Sequence, residues 1–454
     1  MLPQTIELIA TIAVFIGVIF LTLKHPTLRI PFLNRVVTID YGSAPVIGAV
    51  LMLIFPFGRE SVVNGITGTA TIKPYSILIL FMSQAYICCS IDLTGFFDYL
   101  ALLTARAAAN SGKRLFVYLF FLSGLLALFT SNDVVVLTLT PIICYCCRST
   151  DTDPIPYLIA QFFAAHICSM ALYVGNPTNI IVAQAYGLTF LEYSKWMAVP
   201  TLVATTLCFF LLRFVLRKRI PDRIKVPELA PAAAIKDKAG AIFGVVCFLT
   251  GLVLLSISEW LPVEIWEIPF GIALIMLARD VYVNFLSSRR TKNNGLPAMK
   301  LMPWKVAPFA IGYFIIVEDL SRAGWISLFA EGLSKLATEL LPATLIMGFL
   351  SSLAANLINN QPMTILFTRI LENASFVAPE LVKRGSMFAL ILGSNFGTNF
   401  TFIGALAGLM WSKICSDKGV TITMKEFLKY GLIVMPVLIV VACLLLVLEI
   451  QLWS

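Results

Sequence analysis

The chain has 454 residues, of which 59% are hydrophobic and 13% charged, with a net charge of +8 and a mean hydropathy of +0.90. That balance excludes a water-soluble globular domain and requires that most of the chain live in lipid. The excess positive charge sits in short loops between apolar runs and forms no continuous basic face, which excludes nucleic acid as a partner. Ten cysteines lie mostly inside apolar segments, where cysteine acts as a small hydrophobe and no disulfide framework is implied. His25 and His166 are the only histidines, no metal-ligand spacing occurs, and no phosphate loop is present, so neither a metal, a cofactor nor ATP hydrolysis by this chain is expected.

In chain order, Ile6–Leu23 is too long for the core of a cleaved leader and reads as the first span, near 5–23. Spans follow near 43–58 and 75–100. The stretch 114–147 reads as a hairpin that enters and leaves on one side, and 155–190 as a broken helix, before a span near 197–217. A polar segment, Arg213 to Lys238, then links two halves, with Arg217-Lys218-Arg219 at its start. The second half continues with spans near 239–259, 263–283 and 304–321, a second hairpin at 342–371, a second broken helix at 384–415 and a span near 429–449. With both hairpins re-entrant, the loops 24–35, 106–114, 148, 213–238, 279–305 and 413–429 share one face and hold most of the 33 Lys and Arg residues. Positive charge marks the cytoplasmic side, so both termini are expected outside, in an inner or plasma membrane, with Lys383-Arg384 a local exception.

The halves align. Ile91-Asp92-Leu93-Thr94 resembles Glu318-Asp319-Leu320-Ser321, and Ser131-Asn132-Asp133 is matched by Asn359-Asn360-Gln361 at nearly the same spacing. Thr178-Asn179 pairs with Thr398-Asn399, and Phe190-Leu191-Glu192-Tyr193 with Phe427-Leu428-Lys429-Tyr430. Each half, 1–217 and 239–454 about the 218–238 linker, counts five spans and one hairpin. An odd number of crossings inserts the second half upside down, so the expected fold is an all-α polytopic membrane protein of two inverted repeats, each with a re-entrant hairpin and a discontinuous helix.

Lipid offers no hydrogen-bond partners, so irregular backbone at membrane depth is tolerated only inside protein or beside a wet cavity. Four such places occur: Thr130-Ser131-Asn132-Asp133, Gly175-Asn176-Pro177-Thr178-Asn179, Asn359-Asn360-Gln361-Pro362 and Asn395-Phe396-Gly397-Thr398-Asn399. Each joins a helix breaker or chain reversal to carboxamides or hydroxyls that can cap half-helices and still face a solute. Thr130, Ser131, Asn132, Asn176, Thr178, Asn179, Asn359, Asn360, Gln361, Asn395, Thr398 and Asn399 are therefore the candidate binding residues, and a single buried Asn would otherwise read as interhelical glue. A carboxylate at the helix centre costs roughly 2.5–3.5 kcal/mol, so intramembrane acids are candidate ion-coupling groups. Asp133, at a hairpin tip among neutral polar groups, is the first of them. Asp92 and Asp319 occupy equivalent places in the two halves and read equally as coupling groups and as caps of helix ends.

At these residues the chain resembles the ArsB-type arsenite and antimonite efflux permeases of the ion transporter superfamily. The likeness runs from Ile91-Asp92-Leu93-Thr94-Gly95-Phe96-Phe97 through Phe129-Thr130-Ser131-Asn132-Asp133, Asn176-Pro177-Thr178-Asn179 and Tyr186-Gly187-Leu188-Thr189-Phe190 to Asn359-Asn360-Gln361-Pro362 and Thr398-Asn399-Phe400-Thr401-Phe402-Ile403-Gly404. The resemblance implies a scaffold with a mobile, elevator-type transport region, ion-coupled efflux of a small inorganic solute or anion driven by proton or sodium, a homodimer, and a cytoplasmic ATPase subunit as partner. Ser131 stands where that family usually has Ala and Gln361 where it has Leu. These departures make the chamber more polar and edge it toward the superfamily's sodium/proton antiporters and sodium-coupled di- and tricarboxylate carriers. Neutral trivalent arsenic acids still suit carboxamides and hydroxyls with no obligatory cation. No nucleophile and base pair occurs, so the chain is not expected to be an enzyme.

Overall fold

The computed structural model of the protein describes residues 4–24, 26–30, 35–55, 58–68, 72–225, 230–288 and 296–453. Parts of the expected basic loops, including Arg289, Arg290 and Lys292, lie outside the described residues, as does the 226–229 part of the linker. The described chain is helical, with one short antiparallel ribbon that pairs Thr27–Ile30 with Arg35–Thr38. Eight helices are long and apolar enough to cross a membrane, among the described residues: 6–24, 74–93, 112–129, 190–216, 238–256, 267–285, 340–358 and 424–453.

Local chemistry sets the helix starts. Thr189 Oγ1 accepts from Glu192 N at 3.1 Å and Asp237 Oδ1 from Gly240 N at 2.8 Å, so each side chain satisfies a donor that the first turn leaves free. Several expected spans divide where the sequence allows it. The run 75–100 is two helices, Pro74–Leu93 and Phe96–Ala107, because Gly95 takes a left-handed conformation (φ 80°). Its counterpart 304–321 ends the same way, with Gly324 (φ 99°) between Val306–Ala323 and Trp325–Ser334. The run 43–58 holds only Ser43–Met52, and a further helix, Gly58–Thr67, follows it.

Two helical hairpins organise the interior. In the first, Gly112–Phe129 and Asn132–Ser149 meet at Thr130-Ser131. Their outer ends return to one place: Lys113 pairs with Asp222, Arg219 with Asp153 at 2.7 Å, and Tyr157 Oη donates to Gly112 O at 3.3 Å. In the second, Leu340–Ile358 and Asn360–Glu372 meet at Asn359, and the far ends are joined where Ser334 Oγ donates to Ser375 O at 3.1 Å.

Ion pairs and main-chain bonds tie the basic loops to one another. Lys305 meets Asp40 at 2.5 Å, Arg219 also meets Glu426, Arg279 meets Asp237, and Lys236 N donates to Thr94 O at 2.9 Å. A second set gathers the opposite ends: Lys73 with Glu264 at 2.9 Å, Arg322 with Glu60 at 2.5 Å, and Trp325 Nε1 with Leu8 O at 2.7 Å. Lys195 lies 4.8 Å over the ring of Trp453 on that same side. The first helix therefore begins, and the last one ends, away from the basic loops.

Candidate functional site

The first broken helix comprises Ile155–Cys168, a single turn at Tyr173–Gly175 and Pro177–Ala185. Asn176 is extended (φ −150°, ψ 138°), and its side chain caps the helix that Pro177 opens, accepting from Thr178 N at 3.2 Å. The second differs from its expected form. Glu380–Phe396 runs through Asn395, tightens into one 3₁₀ turn at Gly397–Asn399, and leaves the helix only over 400–405, before Leu406–Asp417. The α-helix ends inside the polar cluster, at Phe396, but the cluster closes on itself and delays the full opening: Thr398 Oγ1 donates to Asn395 O at 2.6 Å, and Asn399 Nδ2 reaches the same oxygen at 3.4 Å.

These two segments meet at Asn395, which is fully buried. Its Oδ1 accepts from Asn176 Nδ2 at 2.8 Å and from Ser169 Oγ at 3.4 Å, and its Nδ2 donates to Asn179 Oδ1 at 2.9 Å. Asn179 in turn donates to Ser169 O at 2.9 Å, and Ser394 Oγ to Thr178 Oγ1 at 3.2 Å. Asn176, Thr178, Asn179, Asn395, Thr398 and Asn399 thus form one buried network. Asn399 Oδ1 within it has no protein partner, and a buried acceptor left open is available to a donor from a solute or water.

The hairpin tips flank this network without joining it in any described hydrogen bond. At the first, Thr130 Oγ1 bonds back to Leu126 O at 2.7 Å, Ser131 Oγ reaches Asn132 Oδ1 at 3.5 Å, and Asp133 is buried in the first turn of Asn132–Ser149. A helix N-terminus favours negative charge there. The arm Gly112–Phe129 packs against the Tyr173–Gly175 turn. At the second tip, Asn359 has φ 72° and ψ 149°, a region open chiefly to glycine. Its Oδ1 accepts from Gln361 N at 3.4 Å, and Asn360 N donates to Gly404 O at 2.8 Å in the open stretch of the second broken helix. The arm Asn360–Glu372 packs on Pro177–Ala185.

Asp92 and Asp319 stand apart from the network and from each other. Asp92 is in the last turn of Pro74–Leu93 beside the basic loops, while Asp319 accepts from Ser61 Oγ at 2.8 Å near the opposite side and keeps Oδ2 unpartnered. Three further acids lie within the helical bundle. Asp280, inside an apolar run, accepts from Tyr86 Oη at 2.9 Å and Ser90 Oγ at 2.7 Å and lies 3.1 Å from Arg279. Glu449, in the last helix, is buried with neither oxygen partnered. Glu318 binds Arg369, Arg322 (3.3 Å) and Asn64 (3.4 Å). Asp280 and Glu449 carried a legible signal, a charge within an apolar run. His166 is fully buried, with Nδ1 2.9 Å from Phe162 O and Nε2 unpartnered.

Discontinuous helices that meet through buried carboxamides, inside a bundle of apolar helices, define a multi-pass membrane transporter. The crystal structure of the Alcanivorax borkumensis YdaH transporter has the same fold, with a TM-score of 0.59 at 13% identity over 100% of this chain and 99% of that one. Neisseria gonorrhoeae MtrF, described among antimetabolite efflux pumps, gives 0.52 at 12% identity over 98% and 95%. Residues 12–452 match the ArsB family, arsenical pump membrane protein, and the chain belongs to that family. An arsenical pump membrane protein of Escherichia coli is 29% identical over 411 residues, covering 88% of this chain and 91% of its own. A 46 kDa membrane protein of Mycobacterium leprae is 26% identical over 81% and 85%.

Proposed function

We propose that the protein is an ion-coupled secondary transporter that exports arsenite and antimonite, binding them as neutral hydroxyl compounds where the two broken helices meet. The observation that carries this reading is the Asn395 network: its donors and acceptors are carboxamides and hydroxyls from both halves of the chain, with Asn399 Oδ1 open. Neutral donors and acceptors match an uncharged hydroxylated solute, whereas a dicarboxylate would want a fixed positive field. Family membership supports the same substrate class.

In this reading Ser131, Asn132, Asn359, Asn360 and Gln361 close on the solute from the hairpin tips, and Asp133 is the coupling carboxylate that exchanges a proton during the cycle. Asp92 and Asp319 serve as helix-end groups. The correspondence of the hairpins, with their outer ends at opposite sides, supports two inverted repeats about the 218–238 linker, and the hairpins with the broken helices would then move against the scaffold. The basic loops face the cytoplasm and the termini face outward. A homodimer and a cytoplasmic ATPase subunit are the partners this reading admits.

The test is a transport assay in proteoliposomes offered arsenite, antimonite, succinate or sodium under imposed proton or sodium gradients. Gradient-driven arsenite movement with trans-stimulation is the expected result. Succinate uptake or sodium/proton exchange without arsenite movement overturns the substrate assignment.

A further inference from the structure

We infer that Cys144 and Cys415 form a dithiol site for a trivalent, thiol-seeking metalloid on the basic side of the protein. The inference rests on the proposed function for its substrate class, and on geometry for its place. Cys144 lies on Asn132–Ser149, the second arm of the first hairpin, and Cys415 on Leu406–Asp417, the helix that follows the second break. The two helices pack side by side and both cysteines are free. Cys415 O accepts from Lys418 N at 3.1 Å and from Val420 N at 2.8 Å, and these two residues line one cavity with Cys144, so the two thiols are neighbours.

Cys144 also lines a cavity of about 480 Å³, whose wall carries Arg148, Thr152 and Lys418. Arg148 and Lys418 put positive charge on that wall, and the thiolate is the form that attacks an electrophilic centre. Cys415, 1% exposed, sits behind Cys144, which is 6% exposed, so a ligand entering from the cavity meets Cys144 first. The other cysteines are less well disposed. Cys88 with Cys89, and Cys146 with Cys147, are adjacent in sequence, and neighbours on a helix point in different directions. Cys147 shares a helix face with Cys144 but is fully buried. Among the described residues no three His, Cys, Asp or Glu side chains gather to hold a metal ion, which leaves a two-thiol ligand set of the kind a metalloid accepts.

The condensation balances without an oxidant. Arsenous acid presents three hydroxyls. Each thiol forms one S–As bond as one As–O bond breaks, the thiol proton leaves with the departing hydroxyl as water, and arsenic stays trivalent. The remaining hydroxyl faces the cavity between Arg148 and Lys418. The bridge would fasten the hairpin arm that begins at Asn132-Asp133 to the helix beyond the Asn395 network, so occupancy at this entrance is felt at the transport site.

The experiment titrates the full-length, reduced protein in detergent with phenylarsine oxide and counts the adduct by intact mass. We expect about one equivalent, removed by excess ethanedithiol, with affinity weaker by at least about tenfold in C144S and in C415S and unchanged in C88S and C147S. Thermal melts establish that each variant is folded. If C144S or C415S unfolds, protection of wild-type Cys144 from maleimide by phenylarsine oxide is the deciding readout. Wild-type stoichiometry in either folded single variant, or no protection, overturns the site. The two readings fail separately: vesicles that move arsenite while the protein binds no phenylarsine oxide overturn the dithiol site alone, and binding without arsenite movement overturns the export reading alone.

Discussion

Asn395 Nδ2 donates to Asn179 Oδ1 at 2.9 Å, joining residues 216 positions apart in the chain, and with the Asn176 bond on its other face it fixes the two broken helices to one another. Replacing Asn395 with Leu leaves Asn176 and Asn179 buried without their partner. The loss is about 1–3 kcal/mol for each unsatisfied group. Asn395→Leu should lower the melting temperature of the purified protein and abolish transport, while Asn395→Gln, which keeps the amide, should retain more of the stability. A variant with Leu at this position that transports normally would remove the network from the mechanism.

Asp133→Asn keeps shape and removes titration. Transport driven by a proton gradient should fall to background, while solute exchange across equal gradients persists. Asp92→Asn and Asp319→Asn, neither of them at a hairpin tip, should lose less. The measurement is initial uptake rate against imposed pH difference, and an unchanged dependence for Asp133→Asn sends the coupling role elsewhere.

Glu318 and Arg369 join helix Val306–Ala323 to the second hairpin arm, with side chains 10% and 19% exposed. Glu318→Gln leaves Arg369 partly buried beside a neutral group, and the expected destabilisation is about 1–3 kcal/mol. Exchanging the two charges should not restore stability, because Arg322 and Asn64 also address Glu318. A double-mutant cycle by thermal melting reads this directly: a coupling below about 0.5 kcal/mol would mean that the pair contributes nothing.

Asp40 supplies the pH dependence. Burial pushes its pKa up, but the hydrogen bond from Lys305 and those from the Ser43 main chain and hydroxyl outweigh burial and hold the carboxyl below its ordinary value. A carboxylate depressed in the folded state stabilises above its unfolded pKa of about 3.9, and that contribution vanishes as pH falls through the folded value. Lys305 is well exposed, so solvent screening limits the effect to about 0.2–1 kcal/mol. The melting temperatures of wild type and Asp40→Asn should differ near neutral pH and converge in acid. A gap that persists in acid would assign the difference to the bonds that Asp40 Oδ1 accepts from Gly42 N and Ser43 N instead.

At the tip of the second hairpin, the backbone of Asn359 (φ 72°, ψ 149°) holds a non-glycine residue where strain of about 1–3 kcal/mol is usual. Asn359→Gly and Asn359→Ala both lose the cap on Gln361, so their difference isolates the backbone. The glycine variant should be the more stable by about that amount in chemical or thermal unfolding. Equal stabilities would show that the tip relaxes in the variants.

Membrane residence, the helical class and the family were legible because they rest on composition, apolar run length and local motifs such as Ser131-Asn132-Asp133 and Asn176-Pro177-Thr178-Asn179. The partners were not. Nothing in the sequence says that Asn395 bonds to Asn176 and Asn179 while Asn132 and Asn360 do not, since that choice is made by packing between distant segments. The same holds for Cys415, which looks like a lone apolar-run cysteine until it is set against Cys144. Glu318 gives no sign in the sequence of its pairing, because Arg369 is 51 residues away. The second α-helix ends within its polar motif, at Phe396, but Thr398 and Asn399 offer donors to Asn395 O and hold one 3₁₀ turn, so the chain opens fully only after Asn399.

The junction at Asn395 also bears on how the protein is made. Asn176 and Asn179 enter the membrane before their partner exists, and 216 residues must still be synthesised before Asn395 follows Asn179. At roughly 5–20 residues per second, the half-finished chain holds open carboxamides in or beside lipid for on the order of 10 to 40 seconds. During that interval the first broken helix must be sheltered by water or by the insertion machinery, because lipid cannot satisfy it. Substitutions that delay the second half, even far from this junction, should therefore expose the nascent protein to quality control before any solute is met.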